Sequence, residues 1–455
     1  MAAARPLHIF TAMRIAALAV VVLAGCFYDE ASPLPDDFGV CTAPPDDTAG
    51  VAAPTWYRDV EAIVVAKCAG CHTDGGIGPF PLESYGQVAA LAPMVREAVS
   101  SRLMPPWQPD ACCNHYLYDR SLSDAERGTL LRWLDTVAEG DPADAPPVSP
   151  PPQGLPHVDL RATMPVPFTP VPQVGADEIR CFLLDHAPIE VTRYITGFDF
   201  QPGARGEVHH TIVYAVDEDK AADLEARDGA DGRPGWDCYG EGGELTRGGN
   251  YIGGWQPGVL PRILPDGIGR ELPAHTRIVL NVHYDTGHGI APDQSAIDIM
   301  LADHVDRVER AIPVGNPLWF IGDGMAIDAN DPDASVWFAW DPSDLITKHQ
   351  SVEIHNVMLH MHELGSIGRV AILRGDGTTE CLLNITQWDF HWMADYYFET
   401  PVRLDPGDRL YVECHWDNTA DNQKIVDGVQ QTPRTLHWGT DEEMCGTILT
   451  YSEAL

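Results

Sequence analysis

The chain has 455 residues, eleven cysteines and a formal charge of −38 at pH 7. That length exceeds a single hydrophobic core and predicts two or three domains. The acidity argues against a nucleic-acid binder or a basic membrane-binding face, and keeps the chain soluble.

In chain order, residues 1–25 read as a signal peptide. Arg5 and Arg14 precede the apolar run Ile15–Leu23, which is shorter than the ~20 residues a spanning helix needs. Leu23-Ala-Gly-Cys26 resembles a bacterial lipobox, implying lipidation of Cys26 and export. Phe27, in place of an Asp, points to the outer membrane of a Gram-negative-type bacterium, facing periplasm or cell surface. The membrane is then engaged through the lipid alone. Export permits disulfides among Cys41, Cys112, Cys113, Cys181, Cys238, Cys381, Cys414 and Cys445. Spacing alone does not pair them. Cys112-Cys113 is open to a vicinal bridge, separate bridges or inert thiols.

Residues 26–54, rich in Pro, Asp and Ala, read as a flexible tether. Residues 55–140 carry helical patterning at Val60–Lys67, Pro93–Leu103 and Ser123–Val137. Pro93 suits a first helical position, and Ser123 with Glu126 has the capping-box spacing. Within this stretch, Cys68-Ala-Gly-Cys-His72 is a Cys-x-x-Cys-His run, the pattern for covalent haem c attachment with His72 as iron ligand. The segment resembles class I cytochromes c. The resemblance implies Met104, in Arg102-Leu-Met-Pro-Pro-Trp107, as the second axial ligand, with His115 as the alternative. A His/Met haem would be an electron carrier.

Residues 141–156 hold seven prolines and predict a stiff linker. From there on, short β-branched and aromatic runs alternate with Gly, Pro, Asp and Asn. Thr211–Val216, Arg277–Tyr284, Val352–Leu359, Gly368–Leu373 and Arg409–His415 read as strands. So many short strands predict two all-β sandwiches, 157–308 and 309–455.

Histidines punctuate these strands: His209-His210, His283, and His360-Met-His362. On a strand, His360 and His362 share a face and can reach one metal. Neighbours such as His209 and His210 point apart, so one metal would need a bulge or different ring nitrogens. Imidazole suits copper in either oxidation state, and a thioether such as that of Met444 favours Cu(I). Trp388-Asp-Phe-His-Trp392 is a dense aromatic run that fits core packing, the lining of a cleft or the carrying of electrons.

The order and flanks of these residues, with Met444 in Glu443-Met-Cys445, resemble the copper type II, ascorbate-dependent monooxygenases over roughly residues 160–455. The resemblance implies two jelly-roll-like sandwiches with one copper each. It makes His209, His210 and His283 the ligands of an electron-transfer copper. His360, His362 and Met444 become ligands of an oxygen-activating copper, with a Cys414–Cys445 disulfide behind Met444. In the peptide-amidating branch, an Arg and a Tyr clamp the substrate carboxylate. Met358 and Ile448 stand at those positions here, so a peptidylglycine substrate is not expected.

The resulting expectation is an exported copper monooxygenase that hydroxylates a C–H bond of a small organic substrate with O2. Its electrons would come through haem c, or from ascorbate or another external reductant. One alternative is a non-enzymatic copper- and haem-binding electron-transfer lipoprotein, with ligands intact and no substrate-dependent oxygen uptake. Another is an adhesive surface lipoprotein that binds no copper.

Overall fold

The computed structural model describes residues 28–29, 31–41, 46–147, 154–172, 177–238, 249–287, 289–320, 324–426, 429–439 and 442–454. The expected signal segment, the expected lipidation residue Cys26 and part of the proline-rich stretch lie outside them. Two compact units form: residues 42–107 with 116–311, and residues 1–41 with 108–115 and 312–455. Among the described residues no helix is long and apolar enough to cross a membrane.

The first unit joins a helical cluster to a β-sandwich. Its helices include Glu61–Lys67, Tyr85–Ala90, Ala92–Ser100 and Asp124–Thr136. Ser123 and Glu126 cap the last reciprocally. The amphipathic faces meet over Trp56, Val60, Val88, Leu130 and Trp133. Trp56 and Trp133 pack with ring centroids 5.3 Å apart, and such large rings anchor a small core.

In the sandwich, one sheet runs in the order Trp236–Asp237, Asp177–Leu183, Arg277–Asp285, Val208–Val216, Gly249–Trp255. The facing strands include Ile268–Leu272, Arg193–Gln201, Ala296–Ala302 and Leu160–Thr163. Ile278, Leu280, Val282 and Tyr284 point between the sheets and join Phe198, Phe200 and Ile297 in the core. Val279 points the other way and is covered by the helix Glu218–Glu225 through Ala221 and Leu224. Burial on both faces explains the nearly unbroken apolar run from Ile278 to Val282.

The second unit is also two-layered. One sheet orders Tyr28–Asp29, Ala334–Trp340, Arg409–Trp416, Gly365–Leu373, Thr379–Ile385. The other contains Tyr396–Leu404, Val352–His360 and Gly446–Glu453. A side chain at Gly368 would collide with Leu359 of the facing layer, so the close approach of the layers there needs glycine.

Residues 28–41 fall in the segment expected to be a flexible tether, yet they are docked on this unit. Tyr28 and Asp29 pair with Trp340 and Ala339. Leu34 N–H donates to Glu413 Oε2, and Arg369 donates to the Leu34 and Asp36 carbonyls. The segment shields the edge strand Ala334–Trp340, whose backbone would otherwise be open to other chains. Residues 108–115, placed by sequence with the helical domain, also sit here, where Asp110 N–H donates to the Asn384 carbonyl.

Among the described residues, four disulfides join Cys41–Cys112, Cys113–Cys381, Cys181–Cys238 and Cys414–Cys445. The adjacent Cys112 and Cys113 therefore bond in different directions. Cys68 and Cys71 are unpaired.

Candidate copper centres and the Cys-x-x-Cys-His segment

His283 lies on the outer face of its strand, in step with Val279 and Asn281, and is paired with His210. Beyond that pair the register shifts, and Tyr284 faces Val208. His209 is the extra residue of a β-bulge, which re-aims a side chain that would otherwise point away. The three rings then converge. His210 Nδ1 is 3.1 Å from His209 Nδ1 and 3.3 Å from His283 Nδ1. The cluster offers one ligand atom per residue at metal-binding separation. The far nitrogen of His283, Nε2, faces Asp177 Oδ1 at 3.0 Å. A carboxylate there holds the proton on Nε2 and frees Nδ1 for a metal.

Behind the cluster, Asp293 ties two segments together. Its carboxylate accepts from Tyr284 O–H, from the Gly203 and Ala204 amides and from Ser295. Tyr284 follows His283, and Ala204 precedes the bulge, so one buried acid braces both ligand-bearing strands.

In the second unit the strand Val352–His360 turns Val357 and Leu359 inward and His360 outward. His360 Nε2 and His362 Nε2 lie 3.2 Å apart with perpendicular rings. His362 Nδ1–H donates to the Glu442 carbonyl at 3.1 Å, and His360 Nδ1 faces Met393 Sδ at 3.1 Å. Both rings thus present Nε2 to one point. Burial, then the neighbouring His362, pushes His360 down to about 3, which keeps it neutral as a metal ligand must be.

The chain on either side of Met444 is tied to this place. Glu442 holds His362, Glu443 accepts from the His362 and Leu364 amides and Trp416 Nε1–H, and Gly446 pairs with His360. Burial raises Glu443 to about 7 against those hydrogen bonds. Cys445, bonded to Cys414, fixes the chain immediately after Met444.

The Cys-x-x-Cys-His run forms one tight turn, with the Cys71 and His72 amides both donating to the Cys68 carbonyl. Burial, then Cys71, pushes the Cys68 thiol up to about 12, and burial also raises Cys71. Such thiols are unlike the low-pKa thiolates of a redox pair. His72 Nδ1–H donates to the Phe80 carbonyl at 3.0 Å, so Nε2 is the ring atom that could bind an iron. A Cβ at Gly78 would stand 2.6 Å from that Nδ1, so glycine is needed beside the ring. These residues fit covalent haem attachment. Met104 belongs to the same unit, and His115 to the other.

Residues 323–455 match the copper type II ascorbate-dependent monooxygenase C-terminal domain. The matched stretch carries His360, His362, Met444 and the Cys414–Cys445 bond. The chain is also 22% identical over 239 residues to mouse "DBH-like monooxygenase protein 2", across 50% of this chain and 36% of that relative. It thus spans about a third of that relative's length. The first match is confined to residues 323–455, and the second is to a DBH-like monooxygenase protein. Among solved structures, the major capsid protein P2 of bacteriophage PM2 aligns over 65% of this chain and 98% of that one. The TM-score is 0.24 and the identity 10%, too low to indicate a shared fold.

Sequence reasoning did not find Asp177, Asp293 or Met393. Asp177 and Met393 are remote in sequence from the rings they face, and Asp293 acts through Tyr284 and the loop at Gly203 and Ala204. The aromatic run Trp388–Trp392 is half-buried rather than core. It lies against the His360/His362 pair, with the Phe390 ring centroid 6.0 Å from that of His362.

Proposed function

We propose that this chain is a copper monooxygenase hydroxylating a C–H bond of a small organic substrate, by the overall reaction RH + O2 + 2e⁻ + 2H⁺ → ROH + H2O. We read it as two jelly-roll-like copper sandwiches behind a cytochrome c-like helical domain. The observation that carries the reading is the opposed Nε2 atoms of His360 and His362, 3.2 Å apart, inside the stretch matched to the family. Copper held by His209, His210 and His283, and by His360, His362 and Met444, would supply the one-electron steps and the activation of dioxygen. The chain's part is to hold those donors neutral and aimed. Asp177, the Glu442 carbonyl and the Glu443 clamp all serve that end.

Electrons enter, in this reading, through a haem c held by Cys68, Cys71, His72 and Met104, with ascorbate or another donor upstream. Two contacts within the first unit support that route. A Cβ at Gly258, just past the strand that pairs with Thr211, would stand 3.0 Å from Cys71 Sγ. A Cβ at Gly206, three residues before His209, would stand 3.9 Å from the Gly76 carbonyl oxygen. The haem-binding turn therefore lies against both loops leading to the three-histidine end of the sheet. Four disulfides fit an exported protein, here anchored through lipid on Cys26 at the outer membrane.

The test is metal and haem content of the full chain, matured with c-type haem and loaded with copper. Two coppers per haem are expected, falling to one when His360 and His362 are both changed to Ala. A chain with no stoichiometric copper would sink the enzyme reading.

A further inference from the structure

The run from Trp388 to Met393 crosses both histidines of the second centre. Trp388 Nε1–H donates to the His362 carbonyl at 3.0 Å, and Trp388 fits a notch at Gly365, where a Cβ would come 2.6 Å from its ring. Asp389 caps the short turn Phe390–Trp392. The base of the run is pinned by a reciprocal pair: Gln108 Nε2–H donates to the Asp389 carbonyl, and Asp389 N–H donates to Gln108 Oε1, each at 3.0 Å. At its far end Met393 Sδ sits 3.1 Å from His360 Nδ1.

An imidazole that gives Nε2 to a metal carries its proton on Nδ1, and what accepts that proton fixes the ring. For His362 the acceptor is a backbone carbonyl. For His360 it is a sulfur. We infer that Met393 is a positioning residue for this centre: its thioether accepts the Nδ1–H of His360 and so holds the tautomer and orientation that turn Nε2 to the metal. The inference rests on the copper reading of His360 and His362. A thioether is a weak acceptor, so it orients the ring without making it as basic as a carboxylate would. That choice favours Cu(I) at a site that also has Met444.

Two variants of the copper-loaded full chain separate this role from packing. Met393→Leu keeps apolar bulk and removes the acceptor. Met393→Gln keeps length and offers a harder acceptor, an amide oxygen. The expected result is that Leu lowers copper affinity at this centre by about 10- to 100-fold, with the three-histidine copper retained. Gln should keep the copper and lower its Cu(II)/Cu(I) midpoint potential. If Leu keeps the copper while Gln loses it, or if both behave alike, Met393 is only packing and the inference falls. Should either variant fail to fold, the wild-type Cu(I) form decides by long-range 1H–15N correlation. A proton on His360 Nδ1 supports the role, and one on Nε2 overturns it. If His362→Ala in the otherwise wild-type chain leaves copper content unchanged, the functional reading itself falls, before Met393 is tested.

Discussion

The two histidine centres stand on the outer faces of sandwich strands, yet they use opposite ring atoms and opposite supports. His209, His210 and His283 converge through Nδ1, and a carboxylate stands behind one of them. His360 and His362 meet through Nε2, and a carbonyl and a thioether stand behind them. The first needs a β-bulge to gather neighbouring residues; the second uses the natural two-residue strand repeat. Partners behind the ring tune the metal as well as aim it. A carboxylate makes imidazole a stronger donor and suits Cu(II), whereas sulfur suits Cu(I). One architecture thus yields a harder and a softer set of donors.

The largest expected effect comes from removing ligands. His360→Ala with His362→Ala should abolish substrate-dependent oxygen uptake and remove one copper while the other stays; metal analysis beside an oxygen electrode reads both. His209→Ala with His210→Ala should remove the other copper and leave the second centre able to bind Cu(I) and carbon monoxide, seen by infrared spectroscopy. Equal loss from both centres in either pair would show that they are not independent.

Next comes the Cys414–Cys445 bond. Replacing both cysteines by Ser should cost about 3 to 4 kcal/mol in the chain-entropy estimate, measured by denaturant unfolding. It should loosen copper at the Met444 centre only. Asp177→Ala should weaken copper at the three-histidine centre by about 10-fold, the low end for such partners, because Asp177 is nearly half exposed. Titration with a Cu(II) chelator measures it, and an unchanged affinity would remove the carboxylate from the comparison.

The smallest effect is a pH dependence confined to the first sandwich. Burial, then the neighbouring Asp298, raises Asp199 to about 6. A carboxyl raised above its unfolded value disfavours folding once ionised, so stability falls as pH climbs from about 4 to 6. Asp199→Asn should flatten that slope and add about 1 to 2 kcal/mol at pH 7, with no gain below pH 4.

Much of the fold was legible because local rules acted alone. Ser123 and Glu126 marked the start of Asp124–Thr136, and the apolar run Ile278–Val282 marked a strand. The histidines that converge were visible in the sequence as His209-His210, His283 and His360-Met-His362. Hidden were the features set by three-dimensional neighbours. Asp177 acts from a strand more than 100 residues before His283. Met393 looks like any lone methionine until the chain folds back on His360. The strap at 28–41 has a tether's composition, yet its contacts come from Leu34, Phe38 and backbone groups against a sheet formed 300 residues later. Cysteine pairing is equally non-local: the neighbours Cys112 and Cys113 take partners 71 residues before and 268 residues after them.

That last arrangement has a mechanical side. The Cys41–Cys112 bond closes residues 42–111 into a covalent ring that contains Cys68, Cys71, His72 and Met104. A pull on the N-terminal strap passes from Cys41 to Cys112, on to Cys113 and into Cys381, so the ring lies outside the load path. A single protease nick within it would leave both fragments joined until the disulfides are reduced.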